Sequence, residues 1–232
     1  RLLLDRIENV ATGEMSDQLS VPIPSDRLAQ AKEVVATLGS DVASKFPWLP
    51  GGKPVGGGNL AMVLGRTWLP KLEIIAQEGI PDLKDGGNVL RPSTTFRLSV
   101  RIPPTFDPTK AHEILKKMLL ENPPYGAKVT YTIQGAAMGW NAPTLSPWLH
   151  ASLQAASETY FGLPFMAMGE GGTIPFMKML GDRFPQAEFV ITGVLGPSSN
   201  AHGPNEFLHV PTGKKVTATI ASVIADHANN KK

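Results

Sequence analysis

Apolar residues recur along this chain with two different periods, and each change of period marks a change of element. Leu2, Leu3, Leu4 and Ile7 are spaced as on a helix, with no capping residue and no initiator methionine ahead of them, so residues 1–9 read as the tail of a helix that began earlier. A second helix is predicted over residues 26–38, with Ser25 available as its cap. Residues 39–59, centred on Phe46-Pro47-Trp48-Leu49-Pro50-Gly51-Gly52, are too rich in proline and glycine for a regular element. A surface excursion is expected there, with Trp48 packed down. Alternation with period two then predicts strands over 72–77, 94–102 and 128–134, with a helix over 108–120 between the last two. On the middle strand Phe96, Leu98 and Val100 share one face, which leaves Arg97, Ser99 and Arg101 on the other. Beyond Pro147-Trp148 a helix is predicted to run to Tyr160, an apolar run at 189–194 reads as a buried strand, and a final helix covers 213–226.

Composition narrows the class. At 232 residues, 42% of them hydrophobic, the chain can bury one sizeable core or two smaller ones. A net charge of +2 without a basic stripe makes nucleic acid an unexpected partner. No apolar run approaches a membrane span and no secretory signal is visible, so no membrane partner is expected and a cytoplasmic location is. With no cysteine there is no disulfide and no thiolate ligand, which leaves histidines and carboxylates for any metal.

Chemistry concentrates in a few places. After the apolar run, Pro197-Ser198-Ser199-Asn200-Ala201-His202-Gly203-Pro204-Asn205-Glu206 is a polar loop that presents one imidazole, either a metal ligand or a plain solvated histidine. Upstream, Gly169-Glu170-Gly171-Gly172-Thr173-Ile174-Pro175 reads as a helix start with Thr173 as cap and Pro175 in the first turn. Free N–H groups at such a start suit a carboxylate, though a tight turn before a capped helix has the same signature. Asn88 follows the turn signal Asp85-Gly86-Gly87, where its amide is either an ordinary turn residue or a hydrogen-bonding group for a substrate backbone. Arg101 ends its strand just before Pro103-Pro104, where a guanidinium can grip a carboxylate with two prongs. The other histidines read more plainly. His112, His150 and His227 lie near helix ends, the first and last expected to be exposed, and His209 after Phe207-Leu208 is expected to pack. Met166, Met168, Met177 and Met179 read as core filling.

Three of these segments, in this order, resemble the C-terminal part of the dinuclear zinc exopeptidases and deacylases, the family of carnosinase-type dipeptidases, glutamate carboxypeptidase, succinyl-diaminopimelate desuccinylase and aminoacylase. They are Asn88-Val89-Leu90-Arg91-Pro92 with the strand ending at Arg101, then Gly171-Gly172-Thr173-Ile174-Pro175, then Ala201-His202 with Asn205-Glu206. The resemblance covers nearly all of the chain. It implies an α/β (α+β) fold class: a truncated, ferredoxin-like lid or dimerisation domain over residues 1–141, lacking its first strand, and the C-terminal segment of a catalytic domain over 142–232, with Trp140 and Asn141 as the crossover.

In function it implies zinc-assisted hydrolysis of a peptide, at a dipeptide or C-terminal amide bond, by the intact protein. In that reading His202 is a zinc ligand, Asn205 and Glu206 support it, and Asn88, Arg101, Gly172 and Thr173 hold the substrate. Neither a His-x-Asp pair nor a Glu-Glu pair, the family's other ligands and its proton shuttle, occurs here. The expectation is therefore a fragment with no catalytic residue of its own, inactive alone and holding little zinc, against two zinc ions in the intact enzyme. A homodimer through the lid is the implied partner. An N-acyl-amino-acid deacylase and a non-catalytic dimerisation module are the competing readings. One departure from the family pattern is Ser99, which stands where many relatives carry an aspartate two residues before the arginine.

Overall fold

The computed structural model describes residues 1–171, 175–196 and 198–230. Its described elements include eight α-helices, α1 (Leu2–Asp5), α2 (Ser25–Leu38), α3 (Asp41–Ser44), α4 (Asn59–Thr67), α5 (Pro108–Leu120), α6 (Pro147–Phe161), α7 (Pro175–Arg183) and α8 (Val210–Asn230), and two strands, β1 (Lys71–Glu78) and β2 (Thr95–Arg101). The class is mixed α/β, as the sequence implies. Two compact units carry these elements: Arg1–Ser44, Trp48–Asn141 and Gly169–Lys178 form the first, and Lys45–Pro47, Ala142–Met168 and Met179–Lys232 the second. Among the described residues no helix is long and apolar enough to cross a membrane.

In the first unit β1 and β2 pair antiparallel, Lys71 opposite Arg101 and Glu78 opposite Thr95, with a bulge between Ile74 and Ala76. Beside the start of their connection, Gly79 has φ of 82° and its missing side chain leaves room for the Ser93 carbonyl, which a Cβ would strike. The sheet and α5 cover one core. Ile7, Leu19, Phe106, Ala111, Leu115 and Leu119 are buried in it, with Leu72, Leu98 and Val100 packed against them. That is the side on which alternation put Leu98 and Val100; Phe96, at the frayed end of the strand, is 37% exposed. Helix α5 starts where Asp107 accepts a hydrogen bond from the Thr109 N–H at 2.7 Å and Pro108 supplies a pre-set first turn. Its other end is held from a distance of more than a hundred residues. The Arg6 guanidinium donates to the carbonyls of Met118, Glu121 and Asn122 at 2.7, 2.6 and 2.7 Å, so a cation satisfies acceptors that the helix terminus leaves open.

The second unit is built on α6 and α8. Leu149, Leu153 and Val223 form its buried centre, lined by Leu145, Trp148, Phe165 and Val190. Two side-chain bonds clamp the pair: Ser152 Oγ to Asp226 at 2.6 Å and Tyr160 to Ser222 at 3.0 Å. Ser146 caps α6, and Glu188 accepts from both the backbone N–H and the hydroxyl of that cap. Gly162, at φ of 73°, ends the helix in the left-handed conformation that a side chain would resist.

Several expectations are corrected. Among the described residues no strand forms over 128–134 or 189–194, and in the second Ile191 stands 62% exposed. The apparent helix over 1–9 stops at Asp5, and Glu8 bridges to Met15 instead. Ser25 is the first helical residue of α2 rather than its cap, and Pro24 precedes it. The excursion over 39–59 contains α3, and α4 begins at its end, a helix the pattern did not suggest. Trp48 is 43% exposed, its indole N–H donating to the Ala43 carbonyl at 2.9 Å. His112 is half-buried against Tyr131, whereas His209 is exposed and bonds Thr212, stapling the first turn of α8. Met168 and Met179 are exposed rather than core-filling. The final helix is longer than 213–226 at both ends.

Candidate substrate and metal-ligand positions

Arg101 is the last residue of β2, and its exposed side chain takes no ion pair among the described residues. Three features meet beside it. Gly171 lies so close that a Cβ built on it would collide with the Arg66 carbonyl oxygen and come within 3.3 Å of Arg101 Nη1. Only glycine fits, because backbone and guanidinium occupy the space a side chain needs. Glu170, one residue earlier, accepts from Arg66 Nη2 at 2.6 Å and from the Gly171 N–H at 3.2 Å. Arg66 belongs to the last turn of α4 and thus reaches this point both through its main chain and through its side chain. The first unit therefore gathers two guanidinium groups and one carboxylate around a single glycine.

Of the residues expected to hold substrate, Arg101 is brought against the glycine-rich segment. Gly172 and Thr173 lie outside the described residues, and α7 is described from Pro175 onward. Asn88 is exposed in the connection between the strands, just after the helical turn Leu83–Asp85. Arg66 and Glu170 were not singled out by sequence reasoning. Glu170 stood inside a quoted motif, but nothing in the pattern of α4 marks its arginine.

In the second unit the loop bearing His202 is held by its own polar groups. Ser199 is buried and donates its hydroxyl to the Gly196 carbonyl at 2.7 Å, while the Phe207 N–H returns to the Ser199 carbonyl at 3.1 Å. Asn200 bonds the Pro204 carbonyl. Four residues that are not glycine, Ser198, Asn200, His202 and Asn205, have φ between 55° and 63°. Left-handed backbone costs an L-residue about 1 kcal/mol or more, and asparagine bears it best. Histidine also adopts it more readily than most residues, so Ser198 is the one of the four for which that conformation is least expected. The His202 N–H donates to Glu206 Oε2 at 2.9 Å, so Glu206 fixes the backbone that carries the imidazole. The ring is exposed and makes no hydrogen bond to the described residues. Asn205 is exposed in the same loop. An exposed imidazole on a fixed loop suits one position of a zinc coordination sphere. Among the described residues no three histidine or carboxylate side chains come together as a metal cluster.

No family model matches the chain. A curated relative does: a cysteinylglycine-S-conjugate dipeptidase of Corynebacterium striatum is 29% identical over 140 residues, covering 59% of this chain and 30% of that protein. Solved structures match almost the whole chain. The di-peptidase Dug1p of Saccharomyces cerevisiae superposes with a TM-score of 0.71 at 18% identity, over 98% of this chain and 48% of its own. Human carnosine dipeptidase 1 gives 0.67 at 17%, over 98% and 48%. An M20 family metallo-carboxypeptidase of Sulfolobus solfataricus gives 0.67 at 18%, over 95% and 50%. The chain thus spans about half the length of these structures and under a third of the curated relative. It shares sequence with a dipeptidase and its fold with dipeptidases and an M20 family metallo-carboxypeptidase, and these are similar to the exopeptidases that its three ordered motifs resemble.

Proposed function

We propose that the whole protein is a zinc-dependent exopeptidase that hydrolyses dipeptides or C-terminal peptide bonds, and that this chain contributes a zinc ligand and the grip on the substrate's free carboxylate. The observation that carries the reading is the approach of the Arg101 guanidinium to Gly171. It joins two segments that resemblance alone assigns to substrate binding, more than sixty residues apart in sequence, in one unit.

Arg101 binds the carboxylate with two parallel N–H donors, and the glycine beside it lets the backbone pack close to the guanidinium. Asn88, Gly172 and Thr173 add hydrogen bonds to the substrate's backbone or its developing oxyanion. His202 would hold zinc, with Glu206 fixing its backbone and Asn205 beside it in the loop. Bound zinc supplies Lewis-acid polarisation of the scissile carbonyl and activation of water. The two-stranded sheet carries exposed Ile74 and Ile75, which supports a homodimer formed through the first unit.

The test compares a dipeptide with its C-terminal amide, using the whole zinc-loaded protein. Arg101→Ala should lower catalytic efficiency on the free dipeptide by roughly 30- to 1000-fold, the range for losing a charge-assisted contact of about 2 to 4 kcal/mol, and should leave the amide almost unaffected. Arg101→Lys should not rescue it, because an ammonium is a point charge without the two-pronged geometry. An Arg101→Ala protein that still prefers the free carboxylate as strongly as the wild type contradicts the assignment. Hydrolysis of N-acyl amino acids in place of dipeptides would turn the reading to a deacylase.

A further inference from the structure

We infer that Arg66 is a positioning residue that sets specificity for the substrate carboxylate, by holding Glu170 away from Arg101. The inference rests on the reading of Arg101 as the carboxylate grip. Its basis is the charge arrangement at Gly171. Glu170 precedes this glycine and bonds its N–H, and Arg101 Nη1 stands 3.3 Å from where the glycine's side chain would begin. A carboxylate at position 170 is thus tethered next to the guanidinium that a substrate carboxylate must reach. It is the same chemical group as the substrate's, and the fold holds it there while a substrate must arrive from solution. Nothing in the chemistry of Arg101 distinguishes the two.

Arg66 resolves that competition. Its Nη2 takes Glu170 Oε1 at 2.6 Å, a short charge-assisted bond, and its carbonyl oxygen packs against Gly171 so closely that a side chain there would collide with it. The internal carboxylate is thereby satisfied by one arginine, and the other keeps its donors for a ligand. Two guanidinium groups and the ammonium of Lys71, which pairs with Arg101 across the sheet, outweigh the one carboxylate, and that local excess of positive charge suits an anion. Arg66 does not touch the substrate in this account; it acts through Glu170.

The test uses the whole zinc-loaded protein with Ala-Gly and Ala-Gly amide as probes, measuring KM and kcat for each. Arg66→Ala should release Glu170 onto Arg101 and raise KM for the free dipeptide about 10- to 100-fold relative to the amide, the scale of breaking a charged contact of roughly 1.4 to 2.7 kcal/mol. Adding Glu170→Gln should restore the original ratio, because the released side chain no longer competes as an anion. A merely structural role for Arg66 would not be rescued by that second change. Arg66→Gln, which keeps a hydrogen-bonding side chain but no charge, provides the same measurement should the alanine variant fold poorly. An unchanged KM ratio in the Arg66 variants, or no rescue by Glu170→Gln, overturns the inference. Arg101→Ala separates the two levels. If it abolishes the preference for the free dipeptide while the Arg66 variants keep it, the inference falls and the carboxylate grip stands; if it leaves the preference intact, both fall.

Discussion

Tyr131 shows what a single residue can add to the first unit without regular structure around it. It lies in a segment with no ladder partner, yet its ring packs on the main core and its hydroxyl sits 2.9 Å from His112 Nδ1. Burial disfavours the charged phenolate and raises the group above its ordinary value of 10.0. A folded-state value above the unfolded one means that the unfolded chain gives up this proton first. The contribution is therefore complete below about pH 10 and declines as pH rises from there through the folded value. Urea unfolding on either side of pH ~10 should show a loss of stability that Tyr131→Phe reduces. An identical loss in the variant would mean that other groups produce it. At this scale the sequence was informative where a residue belonged to a motif. Arg101, Asn88 and His202 could be named because neighbouring residues marked them, whereas the pairing of Arg66 with Glu170 spans 104 positions and leaves no local trace.

Elements were legible in proportion to how much of their stabilisation is local. Helix α5 was read with its observed bounds, because Asp107 caps it, Pro108 opens it and its apolar residues recur at helical spacing. A strand is a property of a pair. Residues 128–134 alternate as well as β2 does, but among the described residues it is β2 that pairs with a neighbouring strand to complete its backbone hydrogen bonds. Helix α4 was hidden by the glycine and proline run before it and by its nine-residue length. What holds the end of α5 was not legible, although its position was, since the carbonyls there are bonded by Arg6 from far away in sequence. Arg6→Ala should destabilise the first unit by about 1 to 3 kcal/mol, the scale for hydrogen bonds to a charged donor, and fray the last turn of α5. Hydrogen exchange at the amides of residues 117–121 checks this. Unchanged protection there would show that the three carbonyls are satisfied equally well by water.

At the scale of the whole molecule, the first unit carries Arg101 and the second carries His202, in a chain that covers about half of each structural relative. His202 stands exposed on a loop held by Ser199, Asn200 and Glu206, so removing its ring should leave the core of α6 and α8 intact. The loss should fall on the metal and on catalysis. The measurement that tests the central claim most directly is therefore the zinc content of the whole protein, wild type against His202→Ala, with dipeptide turnover assayed on the same samples. The account predicts about two zinc ions per protomer in the wild type, a clear fall in the variant, turnover reduced by at least ~100-fold and an unchanged circular dichroism spectrum. A wild-type protein without zinc, or a variant that keeps both its zinc and its turnover, would contradict it.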